Sequence, residues 1–408
     1  MTGALPTTSG TSRPVADQDL HRASPMSLPL TVLTQFRATR PRYELSQERI
    51  LAWLSAAHAA AEAAADRLDD VERIALEERL ARVLARCACR PDKIARRGVS
   101  IPDVDHRDWS DNVLYDIPRL PHGGSTAART QLFAAIVDAY FETTYADEVV
   151  PPDDLVHVTC TGYVSPSGGQ KLVARRGWGA TTRITHAYQM GCYAAAPAIR
   201  IAAGLLATRT QAISRRVDVV HTELCSLHLD PSDHRIEQLV VQSLFADGLI
   251  RYSVTADPRA RGLRVRAIHE CVLPDSADAM SWTVGDHGMH MTLSRDVPDR
   301  IAGALRGFVL DLYAQAGLGI AALETSTFAV HPGGPKIIDR VREVLELDEA
   351  QVATSAAVLF DHGNMSSATL PHIWQRLLDD PAVPRGTVIP SLAFGPGLTV
   401  CGVLLEKQ

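Results

Sequence analysis

No apolar run in this 408-residue chain approaches the ~18–20 residues that a membrane-spanning helix needs. Its opening, MTGALPTTSGTSRPVADQDL, has no basic segment followed by an apolar one, so no export signal is expected either. Net charge is small: 41 Lys and Arg against 47 Asp and Glu give −6. That balance argues against nucleic acid as a partner and against a polybasic membrane contact. Cysteines are few and odd in number: Cys87, Cys89, Cys160, Cys192, Cys225, Cys271 and Cys401. Without an export signal they read as free thiols, and a cytoplasmic location is expected. Cys87 and Cys89 form a lone C-x-C with no second pair at zinc spacing, so no metal is expected.

What is present is globular: 46% hydrophobic and 22% charged residues exclude global disorder. At roughly 100–200 residues per domain, the length suits two or three domains, or one large pseudo-duplicated domain. Residues 1–28, rich in Thr, Ser, Pro and Gly, read as a disordered tail. LTVLTQF, near Leu30, reads as a first strand. Residues 46–97 have helical spacing and almost no Gly or Pro, first in ERILAWLSAAHAAAEAAADRL and then from Asp70 to Cys89. The second stretch carries Arg73, Arg79, Arg82, Arg86 and Arg90. Two readings stand for it: a solvated helix face, or a basic mouth for a phosphate-bearing partner. From residue 125 helices alternate with strands. LVHVTCTG, VDVVHTEL, LIRYSVTA, LRVRAIHECV, TSTFAVH, VIPSLAFG and LTVCGVLLE read as strands, and RIAGALRGFVLDLYAQAG as an amphipathic helix ended by Gly317. The alternation predicts an α/β fold, with two similar halves at 29–255 and 256–408.

Three side chains at element junctions can do chemistry. Cys192 follows Gly191 and precedes a small-residue run that opens a helix, whose free N–H groups stabilise a thiolate and an oxyanion. Pro197 belongs in a first helical turn and places the helix start a little after the Cys. His331 ends a β-branched strand before the turn Pro332-Gly333-Gly334-Pro335. Asn364 follows a Gly before an apolar run. Taken singly, each has a structural reading: an inert buried thiol, a histidine satisfied at a turn, a helix N-cap. Spacing does not show whether they meet in space.

The segments GCYAAAPA, VHPGGPKIID, HGNMSSAT and AFGPGLTV, with SLFADG, RDVPDRI and CTGYVSPS in matching order, resemble the type III polyketide synthases, the chalcone synthase-like family. The resemblance runs from about residue 30 to 405. It implies a thiolase-like αβαβα layered fold made of two similar halves and working as a homodimer. It implies Cys192 as the acyl-accepting nucleophile, with His331 pairing its thiolate as an imidazolium. His331 and Asn364 would then donate to the thioester oxygen during malonyl decarboxylation. No permanently bound cofactor is implied. Acyl-CoA and malonyl-CoA, or an acyl carrier protein thioester, bring the substrates.

The resemblance also assigns the surroundings. Phe245 matches a gate aromatic, against a reading as core packing. Met291 falls where plant members carry a second gate Phe. Cys160, Cys225 and His228 fall on small hydroxyl residues of the plant pocket, against a reading as structural packing. Ser366 matches a position that shapes cyclisation, and Ser165 replaces a Met that crosses the dimer interface. The family's basic coenzyme A positions land on Leu84, Cys87 and Pro91, so Arg86 and Arg90 are the candidate substitutes, or a carrier protein delivers the starter. These departures look bacterial and lean toward a fatty-acyl starter and an alkylresorcinol or alkylpyrone. The competing functions are a single-condensation β-ketoacyl synthase, a cysteine hydrolase with a Cys-His-Asn set, and a non-catalytic binding protein.

Overall fold

Short strands buried on both faces build the main sheet. The computed structural model describes residues 29–208 and 215–408, so the expected tail at 1–28 lies outside the described residues. The strands are β1 (Val32–Thr39), β2 (Tyr43–Ser46), β3 (Arg96–Val99), β4 (Asp154–Thr159), β5 (Arg183–Tyr188), β6 (Arg216–Glu223), β7 (Gly248–Thr255), β8 (Leu263–Val272), β9 (Met280–Gly285), β10 (Gly288–Leu293), β11 (Ala329–Val330), β12 (Val388–Gly395) and β13 (Thr399–Lys407). Nine of them form one sheet in the order β11-β12-β13-β8-β1-β7-β6-β4-β5. Its two arms join only at Val32↔Arg264 and Leu33↔Leu263, where β1 meets β8 antiparallel. Outward from that joint the arms match: an antiparallel neighbour (β7, β13), its antiparallel partner (β6, β12), then a parallel strand (β4, β11).

The helices are α1 (Gln47–Asp66), α2 (Asp70–Cys87), α3 (Thr126–Thr144), α4 (Gly168–Arg175), α5 (Ala195–Ala207), α6 (Ile236–Leu244), α7 (Val297–Gln315), α8 (Pro335–Leu345), α9 (Glu349–His362) and α10 (Thr369–Asp379). Three apolar clusters divide them into layers. One cluster sandwiches α5 (Ile199, Ala202) and α10 (Ile373, Trp374) between Val156, Val219 and Tyr252 of one arm and Val265, Ile389 and Val403 of the other. Opposite side chains of the first arm, Leu155, Val220 and Leu249, pack outward on Ile50 and Trp53 of α1 and Phe133 and Phe141 of α3. Leu392, Val400 and Leu404 of the second arm pack outward on Phe308 and Leu312 of α7 and Val341 of α8. The inner strands are buried on both faces because each arm is covered on both faces. The result is helix, sheet, helix, sheet, helix: the thiolase-like layering.

Two local readings change. TSTFAVH shortens to the two-residue β11, because Phe328 N donates to Gln351 O (2.7 Å) rather than to a strand. The pattern also gave no hint of β5 or of the β9–β10 hairpin.

Candidate active site

Cys192 sits in the one-turn helix Gly191–Tyr193, and α5 begins two residues later, with Pro197 in its first turn. Gly191 has φ +75°, and a Cβ there would lie 2.8 Å from Pro396 Cδ, so this bend accepts only glycine. Gly395, before Pro396, is pinned the same way: its Cβ would lie 2.3 Å from Tyr193 Cδ1. The end of β12 therefore props the cysteine turn. The same strand holds His331, whose N donates to Leu392 O (2.7 Å) just beyond β11. Asn364 leaves α9 through Gly363 (φ +72°) and is stitched to the end of α6. Asn364 N donates to Leu244 O (3.0 Å), and Asn364 O accepts from Ala246 N (2.8 Å). Its Oδ1 caps the next turn by accepting from Ser366 N (2.9 Å). The one-turn helix Ser366–Ala368 then packs against the cysteine turn.

A cavity of about 40 Å³ opens on the sulfur. It brings together Cys160, Cys192, Cys225, His228, Phe245, Met291 and Ser366. His331 and Asn364 do not line it; both are buried, each 1% exposed, and the Asn364 amide is near the sulfur. Among the described residues, both His331 ring nitrogens and Asn364 Nδ2 have no hydrogen-bond partner in the protein. Cys192 Sγ lies 3.8 Å from Ser366 Oγ, which in turn lies 3.2 Å from Cys160 Sγ. Arg86 and Arg90 do not reach the cavity; they are exposed at the end of α2. Arg90 forks onto Asp92 (2.9 and 2.9 Å), so its charge is already met.

Electrostatics depart from the expected ion pair. Burial pushes the Cys192 thiol up to about 12, and the Glu223 charge adds to it. Ser366, the backbone and the nearby Asn364 amide favour the thiolate but do not overcome burial. Burial alone pulls His331 down to about 3. A dry cavity disfavours both charged forms, so the resting pair is thiol and neutral imidazole. His228 is neutral too, pulled to about 3 by burial. Its Nε2 lies 2.8 Å from Thr161 O and its Nδ1 3.2 Å from Met289 N. A carbonyl only accepts and an N–H only donates, so the Nε2–H tautomer is fixed and His228 is a strut of the pocket wall.

Sequence reasoning missed two groups. Glu223, at the end of β6, is fully buried; its Oε2 accepts from Cys160 N (3.0 Å) and Thr161 Oγ1 (3.1 Å), and its Oε1 accepts from Ser367 Oγ. Burial raises it to about 7, against those bonds. It can exchange a proton beside the cavity near neutrality. An acid near the end of a strand read as buried, VDVVHTEL, was the available signal. Trp282 is the other: its Nε1 donates to Cys160 O (2.6 Å), and it stands directly across the hairpin from Met291. Nothing in the local sequence marked it.

No helix among the described residues is long and apolar enough to cross a membrane, and no group of three or more His, Cys, Asp or Glu is placed to hold a metal.

Two family models match in succession: "Chalcone and stilbene synthases, N-terminal domain" over 134–258 and "Chalcone and stilbene synthases, C-terminal domain" over 264–407. The 1,3,6,8-tetrahydroxynaphthalene synthase of Streptomyces coelicolor is 31% identical over 250 residues, 60% of this chain and 64% of that one. The probable polyketide synthase 1 of Dictyostelium discoideum is 30% identical over 264 residues, 62% of this chain but 8% of that one. The chain thus spans less than two thirds of these relatives. The crystal structure of the C-terminal type III polyketide synthase domain of Steely1, from Dictyostelium, superposes with a TM-score of 0.77 at 23% identity, covering 93% of this chain and 99% of that one. The two domain matches meet within the β7–β8 link and jointly enclose the cysteine, histidine and asparagine turns. The chain belongs to the chalcone and stilbene synthase family, the type III polyketide synthases.

Proposed function

We propose that this chain builds polyketides by decarboxylative Claisen condensation, with Cys192, His331 and Asn364 as its catalytic residues. The observation that carries the reading is two buried donor side chains, His331 and Asn364, with no hydrogen-bond partner among the described residues, the Asn364 amide being near the Cys192 sulfur. A buried polar group left unmatched costs roughly 1–3 kcal/mol. Such groups are retained where a ligand oxygen completes them.

The chemistry follows from the neutral resting pair. As an acyl thioester reaches the sulfur, the Cys192 proton passes to His331, and the sulfur attacks the carbonyl. The tetrahedral oxyanion collapses, the acyl group stays on Cys192, and the carrier thiol leaves with the proton from His331. Malonyl thioester then loses CO2. The electron pair of the broken C–C bond becomes an enolate whose oxygen accepts hydrogen bonds from His331 and Asn364 Nδ2. The enolate carbon attacks the acyl-Cys192 thioester, giving a β-ketoacyl thioester on the carrier and freeing the sulfur for the next round.

The starter is a fatty-acyl group and the product an alkylresorcinol or alkylpyrone. The apolar lining of Leu229, Val241, Phe245, Met289 and Met291 supports this reading. Met291, Phe245, Ser366, Cys160, Cys225 and His228 bound the substrate. Arg86 or Arg90 meets the phosphate of coenzyme A or of a carrier protein's pantetheine. The working unit is a homodimer in the cytoplasm, which agrees with seven free cysteines.

The test uses acyl-CoA starters of graded length with malonyl-CoA, read by mass spectrometry. Extended pyrones or resorcinols are expected from wild type and none from Cys192→Ala. Chain extension by Cys192→Ala would end the assignment.

A further inference from the structure

Arg97, in β3, is 2% exposed, and burial pulls it down to about 10. It makes no hydrogen bond to a carboxylate. Its Nε donates to Gln47 Oε1 (2.9 Å), and its Nη1 donates to the carbonyls of Gln242 (2.8 Å) and Phe245 (2.7 Å). Gln242 lies in the last turn of α6 and Phe245 is its C-cap residue. Carbonyls there have no helical N–H to meet them, and the helix dipole is negative at that end. Both residues line the cavity. Gln47 extends the anchor: its Nε2 donates to Ser243 O (2.8 Å) and to Cys89 O (2.7 Å). Cys89 N donates to Ser243 Oγ (3.0 Å). The other side of the same segment carries Asn364, through the Leu244 O and Ala246 N bonds already described.

One side chain therefore holds 242–246 through its guanidinium and packs its stem against Gly363 of the asparagine turn, where a Cβ would lie 2.9 Å from Arg97 Cγ. Burying a cation without a hydrogen-bonded carboxylate is unfavourable for folding alone. Asp247 is near enough to favour the charge, but its oxygens are occupied by Ser226 and Ser100. We propose that Arg97 is a positioning residue that fixes the Phe245 gate and, through the paired backbone, holds Asn364 against Cys192. This rests on the condensation reading above. A displacement of about 1 Å at a reacting group lowers turnover up to about 10²-fold, so a rigid anchor here has a catalytic consequence.

The experiment compares Arg97→Met, which keeps length without donors, with Arg97→Lys, which keeps the charge. Two readouts are used. Amide hydrogen exchange at Ala246 and Asn364 should speed up about tenfold or more in Arg97→Met, with the core strands unchanged. Turnover should fall by about tenfold or more with little change in KM and a shift to early-released products, and Arg97→Lys should restore part of it. In a Phe245→Ala background, Arg97→Met should leave the product profile unaltered, because the two act as one unit. Unchanged exchange at Ala246 and Asn364 overturns the proposal whether or not the enzyme condenses malonyl units. Effects of the two substitutions that simply multiply overturn it as well. If Arg97→Met does not fold, Gln47→Met, which deletes the acceptor on Nε and the two donors to Ser243 O and Cys89 O on the same anchored segment, takes its place. It should move exchange and products in the same direction, and no movement overturns the proposal.

Discussion

Alkylation of Cys192 across pH distinguishes a neutral resting pair from a thiolate–imidazolium pair. With the thiol near 12, the thiolate fraction at pH 7 is about 10⁻⁵. A free cysteine near 8.5 has about 3% thiolate at the same pH, so Cys192 should react about three orders of magnitude more slowly. Burial also hinders access, which lowers the rate at every pH without changing its slope. The slope is therefore the decisive quantity. Iodoacetamide labelling, read by peptide mass spectrometry at Cys192, should rise about tenfold per pH unit from 6 to 9 in the free enzyme. An ion pair would instead give a flat, fast rate between pH 6 and 8, because the thiolate would already be formed. A flat profile would refute the argument that the dry cavity keeps both groups neutral.

Four further outcomes follow. Asn364→Ala removes the Nδ2 donor and the Oδ1 cap on Ser366 N; malonyl-CoA decarboxylation, measured as acetyl-CoA formed without starter, should fall about 10²–10³-fold, while folding loses only about 1 kcal/mol. Gly191→Ala places a Cβ 2.8 Å from Pro396 at φ +75°; strain and overpacking of roughly 2–5 kcal/mol should appear as lower thermal stability together with at least tenfold slower acyl loading, read by intact mass. Glu223 has a folded pKa of about 7 against an unfolded 4.5, so the folded state holds the proton more tightly and its contribution is full below pH 4.5 and lost as pH rises through 7; denaturation of wild type relative to Glu223→Gln should weaken by about 3 kcal/mol across that window. Met291→Phe, across the hairpin from Trp282, narrows the cavity and should shift the product series toward short starters, whereas Trp282→Ala should shift it toward long ones.

The layered core was legible because its strands are short, β-branched and bounded by turns: VDVVHTEL is rich in Val, and LTVCGVLLE is almost wholly apolar. α1 and α7 were legible from helical spacing. β5 was not, since RITHAY sits at the sheet edge with polar residues on both faces, so it carries neither alternation nor a run. Cys192, His331 and Asn364 were legible as junction residues because Gly191, Gly333 and Gly363 punctuate the turns around them. Glu223 was invisible to the same reasoning. Its meaning comes from Cys160, Thr161 and Ser367, which lie 63, 62 and 144 positions away along the chain. The ionisation states read differently from the two views for a related reason: a cysteine beside a helix start reads as activated, whereas burial pushes the thiol up and the imidazole down.

Topology explains why these residues act together. β5, which leads to Cys192, and β11, which leads to His331, are opposite edges of the nine-stranded sheet. The two arms pack on a shared layer, α5 and α10. Each of those helices begins just after a one-turn helix that carries a candidate site residue: Cys192 before α5, Ser366 before α10. The two turns pack on each other, so the N-termini of both central helices meet beside the cysteine turn, where the proposed chemistry develops charge on a thioester oxygen. Helix N-termini favour negative charge and donate free N–H groups. The cavity can therefore rest with a neutral thiol and a neutral imidazole, because its stabilising field acts on an oxygen that becomes charged only during the reaction. A loss of the first half would remove the α5 terminus and the sulfur, and a loss of the second the α10 terminus and both donors, which makes the complete two-arm fold the smallest unit able to perform the proposed chemistry.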